Sequence, residues 1–140
     1  MKILIAVDGS PYTQRVLAYL AAHPQFLGAQ HQYSVIHTVL AVPPGASAFL
    51  SAAMKRNYYA QEAEAIFEPV RKFLEQQKIV ATFVTTLAHP GDSIARLARE
   101  GGFDLVVMGS HGHGELRNLV LGSTVTAVLA LCTTPVLIVR

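Results

Sequence analysis

Short apolar runs alternate with longer segments of mixed polarity along the whole chain. Five of the runs predict β-strands, at residues 2–7, 32–40, 79–87, 104–108 and 136–139. The first is almost entirely apolar, which is typical of a strand that is buried on both faces of a parallel sheet. Because helical patterns separate the runs, the sequence predicts an α/β fold with right-handed crossovers and a parallel sheet.

Two helical regions are predicted in the first half of the chain. Ser10 is the predicted N-cap of the first, with Pro11 at the first helical position. The second spans about residues 46–77, and Pro69 interrupts it. Proline removes a backbone donor and clashes with the preceding turn. We therefore expect a mobile or irregular early part, followed by a helix with a kink or a restart near Pro69.

Two further helices are predicted in the second half of the chain. The third follows residues 89–91, takes Asp92 or Ser93 as its cap and stops at the glycine pair 101–102. The fourth starts around Gly122. Strand and helix therefore alternate to the end of the chain.

A glycine-rich loop joins the fourth predicted strand to the last helix. It contains Gly109, Gly112 and Gly122. Such a loop points backbone N–H groups inwards, and the positive end of the following helix dipole favours an anion. Ser123 and Thr124 fall in the first helical turn, where hydroxyls reach phosphate oxygens or free N–H groups. The spacing predicts a nucleotide phosphate site, with an ordinary glycine-rich surface loop as the alternative.

Asp8 follows the first predicted strand and is the candidate acidic partner of the glycine loop. Ligands of open parallel sheets bind at the carboxyl ends of the strands, where the strand order reverses. If the first and fourth strands are neighbours there, the Asp8 carboxylate faces the loop and accepts from ribose hydroxyls or holds a phosphate-bound metal. The alternative is that Asp8 caps the first helix. The ligand role is favoured because Ser10 already supplies a cap.

His111 and His113 lie within the glycine loop. Two histidines without a third ligand at a matching spacing do not predict a metal site. We expect both beside the phosphates as hydrogen-bond donors, with Arg117 as a further candidate whose alternative is a solvated side chain. Ser110 and Ser123 lack a recognisable partner base with an orienting acid, so the sequence favours binding over turnover. His37, within an apolar strand, is expected to be a satisfied core or crevice histidine.

Composition narrows the class of protein. The 140 residues suggest one domain, 51% are hydrophobic and 14% are charged, against roughly 25% charged in average globular proteins. A net charge of +2 without basic runs does not indicate nucleic-acid binding.

The uncharged stretch 119–139 has the length of a membrane span, but polar residues and a proline divide it, so we expect no span. The first apolar run ends at Asp8, too early for a signal peptide, which favours a cytoplasmic protein.

These residues resemble the universal stress protein family, in its ATP-binding branch. The pattern Gly109-x2-Gly112-x9-Gly122-Ser123 matches the nucleotide-binding pattern of that branch, and Asp8 falls in the family's Asp-containing turn. Segments 35–39, 91–94 and 135–139 are similar to the family's second strand, third helix start and last strand. The resemblance covers the whole chain.

The resemblance implies a Rossmann-like, adenine-nucleotide-binding sheet in the order 3-2-1-4-5, with helices on both faces. It implies a homodimer through the last strands, or a higher oligomer, and bound ATP with Mg²⁺ bridged through the phosphates. Asp8 and Gly109 would contact the ribose, and the Thr38 backbone would hold the adenine edge. The other implied contacts are Ala6 and Val7 at the adenine and Gly112, Gly122, Ser123 and Thr124 at the phosphates.

Two departures from the family pattern stand out. Ala88 replaces a frequent glycine, and Thr38 replaces an aliphatic residue, which matters little if the contact is through the backbone. The leading hypothesis is an ATP-binding regulatory protein of the stress response, with slow or no hydrolysis. The alternatives are a weak ATPase or autophosphorylating enzyme, and a dimeric interaction module without nucleotide.

Overall fold

Five parallel strands form one sheet, in a computed structural model that describes residues 1–114 and 120–140. Neighbouring strands pair in the order β3-β2-β1-β4-β5. All four pairings are parallel, with Ile3 opposite both Tyr33 and Leu105. The predicted fold class and strand order are confirmed. The strands are β1 (Lys2–Ala6), β2 (Gln32–Thr38), β3 (Ala81–Thr86), β4 (Leu105–Gly109) and β5 (Val136–Val139).

Helices cover both faces of the sheet. They are α1 (Pro11–Ala22), α2 (Pro44–Ser47), α3 (Ala52–Gln76), α4 (Pro90–Glu100) and α5 (Ser123–Leu131). Alternate β1 residues point to opposite faces, so Ile3 and Ile5 join the core under α1 and α3, and Leu4 joins the core under α4 and α5. The continuous apolar runs of the sequence thus correspond to strands that are buried on both sides.

The second helical region differs from its prediction. Residues 44–47 form a separate short helix, and α3 begins at Ala52, where the Ser51 Oγ accepts a 3.1 Å hydrogen bond from the Met54 N–H. Pro69 lies inside α3, so the helix does not restart there, and the alternative, a kink, stays a prediction. The buried side chains Ala63, Phe67, Val70 and Leu74 lie on both sides of Pro69 in sequence and form one apolar stripe. Packing of that stripe against the sheet outweighs the local preference of proline.

The predicted helix caps are also corrected. Ser10 occupies the N-cap position of α1 but makes no capping hydrogen bond, and its buried Oγ has no partner among the described residues. The α4 helix begins at Pro90, before the predicted caps Asp92 and Ser93, because proline has the right φ for a first helical residue. The predicted end of this helix is confirmed, since Gly101 is its C-cap.

The uncharged C-terminal stretch folds as a short helix and an edge strand. Its described part contains α5 and β5, separated by residues 132–135. Within the described ranges, no helix is both long and apolar enough to cross a membrane.

Candidate functional site

A cavity of about 420 Å³ opens at the carboxyl ends of β1 and β4. The strand order reverses between these two strands, which is where ligands of open α/β sheets bind. The sequence-predicted site residues all line this one cavity, whereas Arg117 lies outside the described residues. They are Ala6, Val7, Asp8, Thr38, Gly109, His111, Gly112, His113, Gly122, Ser123 and Thr124.

The Asp8 side chain holds the turn between β1 and α1. Its Oδ1 accepts hydrogen bonds from the Ser10 N–H at 2.9 Å and from the Thr13 hydroxyl at 3.1 Å. The Thr13 Oγ1 in turn accepts from the N–H groups of Asp8 and Gly9, at 3.1 and 3.2 Å. Asp8 therefore holds the turn that precedes α1, and it does so through its Oδ1.

The second carboxylate oxygen of Asp8 faces the glycine loop. A β-carbon on Gly112 would lie 2.5 Å from the Asp8 Oδ2, which is far inside van der Waals contact. A β-carbon on Gly122 would lie 3.2 Å from the His111 Cα and 3.3 Å from the Ser110 carbonyl oxygen. The Gly122 N–H donates to that same carbonyl at 2.8 Å. A side chain at Gly112 would therefore displace the Asp8 carboxylate, and one at Gly122 would require the loop backbone to shift by a few tenths of an ångström.

The two loop histidines make different contacts at the mouth of the cavity. The His113 Nε2 lies 2.6 Å from the Asp8 carbonyl oxygen, which identifies that nitrogen as the donor. The His111 Nδ1 lies 3.0 Å from the Ser110 Oγ, and the His111 ring lies 5.3 Å from the Tyr12 ring. His113 thus links the loop to the turn after β1, and His111 packs against the first turn of α1.

The N-terminus of α5 forms another side of the cavity. Ser123 is the first residue of this helix, and its N-cap, Gly122, has no side chain with which to cap it. The first N–H groups of a helix have no partner within the helix, and they carry the positive end of its dipole. An anionic group in the cavity would therefore meet favourable electrostatics at Ser123 and Thr124.

An apolar wall that the sequence analysis missed completes the cavity. It lies on the α4 and α5 face of the sheet, where its side chains offer a surface suited to a flat ring. The wall residues are Ile36, Pro90, Ile94, Met108 and Val125. Strand alternation could have placed Ile36 and Met108 on one face, but only the packing of α4 and α5 brings in the other three.

Backbone groups of β2 extend past the end of β1. Pairing of β1 with β2 reaches Ala6 opposite Ile36, and the Val7 N–H then donates to the Ile36 carbonyl at 3.0 Å. Backbone groups of alternate residues face the same neighbouring strand. The N–H and C=O of Thr38 therefore face the crevice beyond the last paired position of β1.

His37 lies beside this crevice and closes the end of β1. Its Nδ1 lies 2.9 Å from the Val7 carbonyl, and its ring packs edge-on against Phe67 at 6.1 Å. The side chain is buried, and its Nε2 has no hydrogen-bond partner among the described residues. The sequence predicted a core or crevice histidine with its hydrogen bonds satisfied. Among the described residues, this is so for the Nδ1 and not for the Nε2.

Comparison with known proteins gives a match along the whole chain. The model of the universal stress protein family matches residues 1–140. The universal stress protein Slr1230 of Synechocystis is 32% identical over 139 residues, covering 99% of this chain and 42% of that protein. MJ0577 of Methanocaldococcus jannaschii is 31% identical over 85 residues, covering 61% of this chain and 52% of that protein. The match thus spans about half the length of these two relatives.

Another relative matches over nearly its full length. A universal stress protein of Thermus aquaticus is 31% identical over 142 residues, covering 99% of this chain and 97% of that protein. Among solved structures, MJ0577 superposes with a TM-score of 0.82 at 27% identity, over 99% of this chain and 94% of that one.

Two more distant structures share the fold and are described with a nucleotide. The Archaeoglobus fulgidus universal stress protein in complex with dAMP has a TM-score of 0.70 at 19% identity, over 100% of this chain and 98% of its own. The Arabidopsis thaliana universal stress protein with AMP bound has a TM-score of 0.70 at 12% identity, and the superposition covers 99% of this chain and 90% of that one.

Proposed function

The chain belongs to the universal stress protein family, and on that premise we propose that it binds an adenine nucleotide in the cavity at the β1 and β4 strand ends. ATP is the proposed ligand, and a regulatory role in the stress response, with slow or no hydrolysis, is the proposed function. The observation that carries the proposal is the close contact between Gly112 and the Asp8 Oδ2. This contact places a carboxylate oxygen against a glycine-rich loop of the kind that binds phosphate.

Each part of the cavity suits one part of the nucleotide. The apolar wall accommodates the base, and the backbone N–H and C=O of Thr38, which face the crevice, form hydrogen bonds with the edge of the base. The Asp8 Oδ2 accepts from ribose hydroxyls, because its other oxygen is already engaged by Ser10 and Thr13. The α5 N-terminus and the loop N–H groups receive the phosphates. The AMP and dAMP complexes of two proteins with this fold support adenine as the base.

A divalent cation, if it accompanies the phosphates, would be held largely by them. Among residues 1–114 and 120–140, no group of three or more His, Cys, Asp or Glu side chains is placed to hold a metal ion. Mg²⁺ characteristically keeps several waters and binds through substrate phosphates with one or two carboxylates. We therefore propose that Mg²⁺ strengthens binding of ATP more than binding of AMP.

The nucleotide proposal is tested by the ligand that the purified protein carries and takes up. Nucleotide released by denaturation is identified by mass spectrometry, and calorimetry measures binding of AMP and of ATP with and without Mg²⁺. Gly122→Val should abolish binding, because its side chain would meet the His111 and Ser110 backbone in the phosphate region. Gly45→Val is the control, since Gly45 does not line the cavity and a β-carbon there meets no described residue within 4 Å. Absence of adenine-nucleotide binding in the unaltered protein would leave only the interaction-module alternative.

A weak autophosphorylating activity is the second candidate. The observation that favours it is the 3.0 Å contact between the Ser110 Oγ and the His111 Nδ1, a nucleophile and a base that the sequence analysis had not paired. Against it, Ser110 is only 1% exposed and therefore poorly placed for in-line attack. A time course with γ-labelled ATP separates the two functions, because a binder with slow or no hydrolysis forms no labelled protein.

We further propose a homodimer through β5. This strand ends the sheet, and its residues Val136, Leu137 and Ile138 are only partly buried. Unpaired edge strands of this kind favour pairing with another chain. Sedimentation velocity should give twice the chain mass of 15.1 kDa, and a single species at the chain mass would contradict the dimer.

A further inference from the structure

The hydroxyl groups of Thr38 and Thr86 form a pair at the edge of the cavity. Their Oγ1 atoms lie 3.0 Å apart, across the last paired position of β2 and β3. The Val39 N–H donates to the Thr86 carbonyl at 2.9 Å, which fixes the end of β3 against β2. Thr38 lines the cavity, whereas Thr86 is not among the lining residues.

The Thr38 side chain lies on the same sheet face as the apolar wall. Residues two apart on a strand share a face, so Thr38 follows Ile36, which packs in the core under α4 and α5. The other wall residues are hydrocarbon or thioether side chains. Ligand pockets of this kind orient a ring with a few polar groups at its rim. The Thr38 hydroxyl is such a group, beside the backbone atoms that face the crevice.

The contact between Thr38 and Thr86 uses one hydroxyl hydrogen, and either residue can supply it. A hydroxyl has one hydrogen to donate and two lone pairs that accept. When Thr38 donates its hydrogen to the Thr86 Oγ1, its own lone pairs remain for a donor in the cavity. The donor on the edge of an adenine base is its exocyclic amino group, and the ring nitrogens of that edge only accept.

We propose that the Thr38 hydroxyl accepts a hydrogen bond from the exocyclic amino group of the bound base, while Thr86 holds it in orientation. This inference rests on the proposed adenine-nucleotide function and adds a side-chain contact to the backbone contact. It also reverses the expectation that threonine at position 38 matters little. Thr38 is the specificity-determining residue, and Thr86 is its positioning residue.

The test compares two ligands that differ only in the amino group. AMP carries it, and purine riboside 5′-monophosphate has a hydrogen in its place. Thr38→Val keeps the side-chain shape and removes the hydroxyl, and it should weaken AMP binding about three- to tenfold, the size of one net hydrogen bond. Binding of the ligand without the amino group should be unchanged. Thr38→Ser keeps the hydroxyl and should restore AMP binding, and Thr86→Val should give a smaller loss in the same direction.

The outcomes separate this inference from the function on which it rests. Unchanged AMP affinity in Thr38→Val, beside normal AMP binding by the unaltered protein, overturns the inference and leaves the function intact. Equal weakening for both ligands also overturns it, because valine would then disturb the cavity rather than remove a contact. Failure of the unaltered protein to bind AMP overturns the function first. Thr38→Ala replaces valine in the comparison if thermal unfolding shows that the valine variant does not fold.

Discussion

The His113 imidazole and the Asp8 carbonyl group lie in direct contact, 2.6 Å apart, although 105 positions separate them in the chain. One belongs to the loop after β4 and the other to the turn after β1. Their contact joins the two sides of the crevice at the point where the strand order reverses. This hydrogen bond therefore holds the glycine loop against the turn that carries the Asp8 carboxylate.

Gly112→Ala should weaken nucleotide binding at least about tenfold, because the new methyl group would lie 2.5 Å from the Asp8 Oδ2. The carboxylate cannot turn away at low cost, since its Oδ1 is held by Ser10 and Thr13. Gly45→Ala is the matched control, because Gly45 does not line the cavity and its β-carbon would meet no described residue within 4 Å. Calorimetric titration with AMP measures both variants, and similar affinities for the two would contradict the tight approach of loop and carboxylate.

Asp8 should show two separable effects, one on stability and one on binding. Asp8→Ala leaves the Ser10 N–H and the Thr13 hydroxyl without their acceptor, and it should lower the free energy of unfolding by about 1–3 kcal/mol. Asp8→Asn keeps an acceptor oxygen and should remain close to the unaltered protein in stability, while AMP binding falls about tenfold.

The control for the binding effect of Asp8→Asn is a ligand without ribose hydroxyls. With 2′,3′-dideoxyadenosine monophosphate, Asp8→Asn and the unaltered protein should bind alike. Urea unfolding measures the stability of the variants. An equal stability loss in the alanine and asparagine variants would show that the turn needs the charge and not only the acceptor.

Gly91→Ala should destabilise the packing of α4 on α5. A β-carbon at Gly91 would lie 2.4 Å from the Ala127 Cβ, and neither methyl group has a rotamer to adopt, so we expect a loss of about 1–3 kcal/mol. Gly45→Ala is the helical control, because its β-carbon would meet no described residue within 4 Å. It should be neutral or stabilising by up to about 1 kcal/mol. Urea unfolding measures the free energy of unfolding of both variants. An unchanged value for Gly91→Ala would contradict the close contact between Gly91 and Ala127.

Tyr33 should govern part of the alkaline stability. Burial raises the pKa of its phenol above the ordinary 10.0, partly offset by a hydrogen bond from the Gly28 N–H. A raised pKa in the folded state means that the stabilisation is complete below the pKa of the unfolded chain. It is lost as the pH rises through the folded-state pKa.

Tyr33→Phe removes this dependence together with the hydroxyl contacts to Phe26 and Gly28. The variant should lose about 1–2 kcal/mol at neutral pH. Its unfolding free energy should then fall less steeply than that of the unaltered protein between about pH 9 and 11. Urea unfolding across that range measures the slope, and parallel curves would exclude Tyr33 as the titrating group.

Local patterns were sufficient for much of the fold. The strand from Lys2 and the helix from Pro11 follow from apolar periodicity and from the fixed φ of proline, which act within a few residues. Local patterns were not sufficient at Pro69, where a restart of the helix does not occur. The helix continues because it packs against a sheet whose strands are distant in sequence. Ser10 is the N-cap residue of α1, as predicted, but its buried Oγ makes no capping hydrogen bond, and α4 begins at Pro90, before the predicted caps Asp92 and Ser93.

By itself the sequence determined the alternation of strands and helices, the glycine spacing and the family to which the chain is similar, because these depend on neighbours along the chain. Only the tertiary structure decided that Asp8 divides its two oxygens between its own turn and the glycine loop. Only it placed Thr38 beside Thr86 and closed the cavity with an apolar wall. The contact of Thr38 with Thr86 and that of Asp8 with His113 join residues 48 and 105 positions apart, and pairing and packing of the strands bring such residues together.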